Sequence, residues 1–137
     1  MTRKITHASL YVKDQNEALR FYTEKLGFEV RADITNGDFR WLTVSSKDQP
    51  DFEVVLLPLR ASDWSLSQDD VEVLTRLLEA GKLGGPVMRT DDIHKAYEEW
   101  KEKGVEFLSP PTDQPWGVDA VFKDNSGNIY SLQQRKK

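Results

Sequence analysis

The hydrophobic positions of the chain follow two alternating rhythms. In "ITHASLYVKD", Ala8, Leu10 and Val12 fall on one side and His7, Ser9 and Tyr11 on the other, the period of two expected of a strand with one core face. "DQNEALRFYTEKLG" changes to helical spacing, with Ala18, Phe21, Tyr22 and Leu26 on one side. Asp14 and Glu17 have the spacing of a capping box, and Gly27 closes the helix. Strand signals return in "FEVRADI" and "FRWLTV", joined through Asn36-Gly37, a dipeptide that suits the positive φ of a tight hairpin turn. The apolar run "FEVVLLPL" supplies a fourth strand.

The order then repeats. "PVMRTDD" predicts a strand, "DIHKAYEEWKEKG" a helix ending at Gly104, and "VEFLSP", "GVDAVFKD" and "NIYSLQQ" three further strands. Asp14, Ala18 and Tyr22 correspond to Asp92, Ala96 and Trp100, and "LGFEV" to "KGVEF". The expected fold is therefore α+β, one domain over residues 1–137 built from two tandem β-α-β-β-β modules, 1–60 and 85–137. Pairing the modules would complete a curved, cup-shaped mixed sheet with helices outside. The connector, 61–84, holds a short helix capped by Ser67 and Asp70, with Val71, Leu74, Leu77 and Leu78 as its apolar stripe. Trp64, just before it, reads either as a lid over a cavity or as an anchor against another subunit.

Composition narrows the chemistry. With no cysteine, disulfides, thiolate metal sites and cysteine nucleophiles are excluded, so any metal would rest on His, Asp or Glu. A net charge of −4 argues against nucleic acid as partner, and the one basic run, Arg135 to Lys137, reads as a solubilising end. No apolar stretch is long enough to span a bilayer, and "MTRKITHASL" lacks the apolar segment of a secretory signal. No membrane partner and a cytoplasmic location are expected.

"ITHASLYVKD" followed by "ALRFYTEKLGFEV", the second-module "RTDDIHKAYEEWKEKGVEF" and the closing "PWGVDAVFKDNSGNIYSLQQ" together resemble the vicinal oxygen chelate superfamily. That superfamily includes glyoxalases, extradiol dioxygenases, and bleomycin and fosfomycin resistance proteins. "DNSGN", residues 124–128, is similar to its D-P-D-G-N hairpin. The resemblance implies that metal-dependent members draw ligands from the first and fourth strands of each module. Those places fall here on His7, Leu56, Gly85 and Ser131. Only His7 is a ligand-type residue, whereas a divalent ion needs three or four such donors. Glu53 lies an odd number of residues from Leu56 and so points to the opposite face. His94, in the first turn of the second helix, reads as solvated.

Parity predicts an inward set of His7, Ser9, Tyr11, Val54, Leu56, Val87, Arg89, Ser131 and Gln133, joined by Phe39 and Trp41 if the hairpin register holds. Arg89 reads either as a bidentate holder of an anionic group or as a structural ion-pair partner. Trp41 and Trp116 are candidates for stacking on a planar ligand, Trp116 alternatively packing the domain edge. The expected function is a metal-independent protein that binds or sequesters a small planar or anionic organic molecule. No cofactor is expected, and the resemblance implies a homodimer. The alternative is a divalent-metal-dependent lyase, isomerase or dioxygenase, and an intermediate is acid/base chemistry by His7 near neutral pH.

Overall fold

A computed structural model describes residues 1–62 and 65–136. The strands form two four-stranded mixed sheets, ordered β1-β4-β3-β2 and β5-β8-β7-β6, one in each sequence repeat. The chain divides into two compact units, Met1–Arg76 and Leu77–Lys137.

In the first unit, β1 (His7–Val12) leads into α1 (Gln15–Arg20) and a π-helical turn over Phe21–Lys25. The Asp14 side chain accepts from the Glu17 backbone N–H, which satisfies a helix N-terminal donor, as the capping spacing predicts. The expected apolar side of this helix is the buried one: Ala18, Phe21, Tyr22 and Leu26 are all core residues. Three strands follow, β2 (Glu29–Asn36), β3 (Phe39–Ser45) and β4 (Glu53–Pro58). β1 runs parallel to β4, and β3 lies antiparallel to both β2 and β4. Gln15 fastens the start of α1 to the sheet, its Nε2 donating to the Leu56 carbonyl at 2.8 Å and the Arg40 carbonyl at 3.2 Å. On the same strands Arg40 grips Asp33 through two N–H···O bonds of 2.8 and 2.9 Å and Asn16 through a third of 2.7 Å.

The hairpin turn sits one residue later than Asn36-Gly37 suggests. Asn36 pairs with Phe39, so Gly37 and Asp38 form the loop, and only Gly37 has positive φ, 61°. That sign pattern fits a type II′ turn, which asks for glycine at its first central position alone.

α2 (Gln68–Glu79) begins with the expected reciprocal cap, the Ser67 N–H donating to Asp70 and the Asp70 N–H to the Ser67 hydroxyl. The second unit then carries β5 (Val87–Arg89), α3 (Ile93–Glu102), β6 (Glu106–Gln114), β7 (Gly117–Lys123) and β8 (Ile129–Arg135). Its core is a chain of rings: Trp100 meets Phe122 edge-on at 5.2 Å, Phe122 stacks on Tyr130 at 4.9 Å, and Phe107 bridges Phe122 and Tyr97. β6 continues through Pro110-Pro111, beyond the strand "VEFLSP" predicts, because it lies at the sheet edge and its register with β7 shifts between Ser109 and Thr112, which leaves both prolines out of the ladder.

Gly85 and Gly127 are two of the places where backbones touch. A Cβ on Gly85 would sit 1.9 Å from the Ile129 carbonyl oxygen, and one on Gly127 would sit 2.1 Å from that of Leu78. Gly127 belongs to the "DNSGN" turn, whose Asp124, Ser126 and Asn128 are buried. Asp124 Oδ1 accepts from the N–H groups of Ser126, Gly127 and Asn128, each at 2.9 Å, and Oδ2 accepts from Asn128 Nδ2 at 2.8 Å.

Candidate functional site

The parallel register of β1 and β4 sets the composition of the candidate face. His7 is level with Glu53, Ser9 with Val55 and Tyr11 with Leu57, and level residues on neighbouring strands share a face. β3 adds Thr43, which pairs with Val55, and by alternation Trp41 and Phe39. The observed set is therefore His7, Ser9, Tyr11, Phe39, Trp41, Thr43, Glu53, Val55 and Leu57.

This register corrects the β4 assignment. Leu56 is level with Leu10 and fully buried on the core side, with Val54 on the same side, and neither lines the face of His7. Glu53, which the sequence places away from the site, stands beside His7 instead. The reason is that "FEVVLLPL" is apolar on both parities, as suits an interior strand, so its pattern does not specify which residues accompany His7.

The polar part of the face is a short relay. His7 Nε2 lies 3.3 Å from Glu53 Oε2, and Thr43 donates to Glu53 Oε1 at 2.6 Å. On the other side of the ring, His7 Nδ1 is 2.7 Å from the Thr6 hydroxyl. The imidazole is thus held at both nitrogens while about a third of its side chain stays exposed, at 36%.

The apolar part is aromatic. The His7 and Trp41 rings are 5.8 Å apart and tilted by 47°, and Trp41 and Phe39 follow at 6.5 Å and 33°. Beyond Phe39 the face opens into a pocket of ≈ 860 Å³, lined by Tyr11, Phe39, Leu57 and Pro58, with Arg60 and Leu66 among the residues that follow β4. A volume of that order suits a small organic molecule.

In the second unit, Val87 pairs with Ser131 and Arg89 with Gln133, so the expected residues of β5 and β8 do share a face. Asp119, which the sequence gives no reason to single out, joins them: the Ser131 hydroxyl donates to Asp119 Oδ1 at 2.9 Å, and Gln133 Nε2 donates to the Ser131 hydroxyl at 3.3 Å. Arg89 is exposed on the edge strand β5 and has no ion-pair partner among the described residues. Trp116 sits in the two-residue turn between β6 and β7 and is 53% exposed. His94 is exposed, as expected. Trp64 lies outside the described residues.

Among the described residues no three or more His, Asp or Glu side chains gather where they could hold a metal, the number of protein ligands a zinc site needs. His7 and Glu53 are the one such pair on the first unit's face, Gly85 offers no side-chain donor, and the Ser131 hydroxyl is engaged by Asp119. Nor is any described helix long and apolar enough to cross a membrane.

Comparison with known proteins agrees with this architecture. Residues 4–132 match the model of the Glyoxalase/Bleomycin resistance protein/Dioxygenase superfamily. YurT of Bacillus subtilis (strain 168) is 37% identical over 132 residues, covering 96% of this chain and 99% of YurT. The crystal structure of UcmS2 superimposes with a TM-score of 0.91 at 39% identity, covering 97% of this chain and 98% of UcmS2. TnmS3, an antibiotic binding protein from Streptomyces sp. CB03234, superimposes at 0.76 with 30% identity, covering 98% of each chain.

Proposed function

Because the chain belongs to the Glyoxalase/Bleomycin resistance protein/Dioxygenase superfamily, we propose that it binds a small organic molecule with a flat apolar part, and does so without a metal ion. The row of rings His7, Trp41 and Phe39 on a partly exposed sheet face, opening into the ≈ 860 Å³ pocket, carries this reading. Rigid aromatic side chains bind planar compounds with little entropy to lose. The antibiotic-binding relative TnmS3 supports a binding rather than a chemical role. The working form is a homodimer, which light scattering of the eluted protein checks.

N-phenyl-1-naphthylamine, a flat neutral dye that fluoresces when it leaves water, tests the reading. The chelator-treated protein should bind it, and Trp41→Ala should weaken binding about tenfold, the loss of roughly 1.4 kcal/mol of ring contact. Failure of the untreated and chelator-treated protein to bind, or equal binding by Trp41→Ala, refutes the platform. Binding that appears only on adding a divalent ion refutes metal independence.

The Glu53 carboxylate beside His7 favours a second reading, proton transfer by His7. Exchange of α-protons of small carbonyl compounds in deuterated water, abolished by His7→Gln, would establish it.

A further inference from the structure

We propose that Arg60 holds an acidic group of the ligand at the edge of the ≈ 860 Å³ pocket. The inference rests on the binding reading above and gives the ligand a chemical class: an amphipathic molecule whose flat body lies on Phe39, Tyr11 and Leu57 and which carries one carboxylate or sulfonate.

Three observations carry it. Arg60 lines this pocket two residues beyond the end of β4, on the segment that faces the β2–β3 turn. Its Nη2 donates to the Asp38 carbonyl oxygen at 2.5 Å, which ties the guanidinium to the β2–β3 turn by one of its five N–H groups. No carboxylate among the described residues pairs with it. The other arginines of this sheet are engaged: Arg40 by Asp33 and Asn16, and Arg31 by Ser45 and Glu29. Arg60 thus adds a cationic fork with open donors to a pocket whose apolar wall is Tyr11, Phe39, Leu57 and Leu66, the combination that recognises an anion on an apolar body. Asp38 lines the same pocket, and no ion pair joins its carboxylate to Arg60.

The test compares two dyes that share one aromatic framework. 8-Anilino-1-naphthalenesulfonate has the sulfonate, and N-phenyl-1-naphthylamine lacks it. Arg60→Ala should weaken the sulfonated dye about tenfold, the worth of a charge-assisted hydrogen bond, and leave the neutral dye within twofold. Asp38→Asn should tighten the sulfonated dye about twofold by removing a nearby like charge, and Arg89→Ala should change neither. Arg60 is exposed, so unchanged circular dichroism is expected of its variant.

An unchanged ratio of the two affinities in Arg60→Ala overturns the inference, as does a change produced by Arg89→Ala instead, or weaker sulfonate binding in Asp38→Asn. These outcomes are separable from failure of the platform, which the neutral dye and Trp41→Ala report.

Discussion

Removing the Asp124 carboxylate should cost more stability than any other polar change in the second unit. Its Oδ1 is the acceptor for three backbone N–H groups, those of Ser126, Gly127 and Asn128, all in a buried turn. Asp124→Ala leaves those donors without that oxygen, and each orphaned buried group costs about 1–3 kcal/mol. The naive total is roughly 3–9 kcal/mol, and water entering the vacated space returns part of it. An expected loss of about 4 kcal/mol is a large share of the ~5–15 kcal/mol available to a domain. At about 3 °C per kcal/mol for a chain of this length, Tm falls by about 12 °C. Asp124→Asn is the informative partner. It keeps an oxygen for the three N–H groups but turns an amide toward Asn128 Nδ2, which sits 2.8 Å from Oδ2, so a loss of about 1–2 kcal/mol is expected. Equilibrium urea unfolding followed by tryptophan fluorescence measures both, with the slope checked for two-state behaviour. A loss below about 1 kcal/mol for Asp124→Ala would refute the argument, as would equal losses for Ala and Asn.

Two further predictions concern each unit's own scaffold. The hydrogen bond from Arg40, more than its charge, holds the Asp33 carboxyl below its ordinary value of 3.8; a depressed folded pKa contributes stability above 3.8 that is lost as pH falls through the folded value, so the urea midpoints of the native protein and Arg40→Met should differ above 3.8 and draw together as the pH is lowered below it. Phe122 is fully buried and touches Trp100, Phe107 and Tyr130; Phe122→Ala should cost about 3–5 kcal/mol by urea titration, and a loss under 1.5 kcal/mol would mean that the ring cluster does not hold the unit together.

Elements whose local chemistry is self-contained were legible in the sequence. Asp14 and Asp92 accept from the N–H three residues on, and Gly27 and Gly104 take positive φ at the helix ends, all features that depend on a few adjacent residues. The faces of β1, β5 and β8 followed from alternation, since His7, Ser9 and Tyr11 differ in polarity from Ala8, Leu10 and Val12. β4 was not legible at the same level: Val54, Val55, Leu56 and Leu57 look alike on either parity, and only pairing with β1 brings Glu53 to His7. Asp119 and Arg60 share that difficulty, because their partners lie on distant segments, Ser131 on β8 and the Asp38 carbonyl across the hairpin. The prolines of β6 misled for a different reason, since the rule that excludes them from strands does not apply at an edge.

The contact at Gly85 bears on how this lineage can change. The Ile129 carbonyl occupies the space any side chain there would need, so no single substitution can place a donor at that position without moving β8. An ancestor or a laboratory library that exchanges residues one at a time therefore meets a barrier at that corner: a His or Glu at 85 loses packing before it gains a ligand. Building a ligand at position 85 would require backbone rearrangement first and side-chain chemistry second, an order that selection for a new ligand there does not reward at its first step.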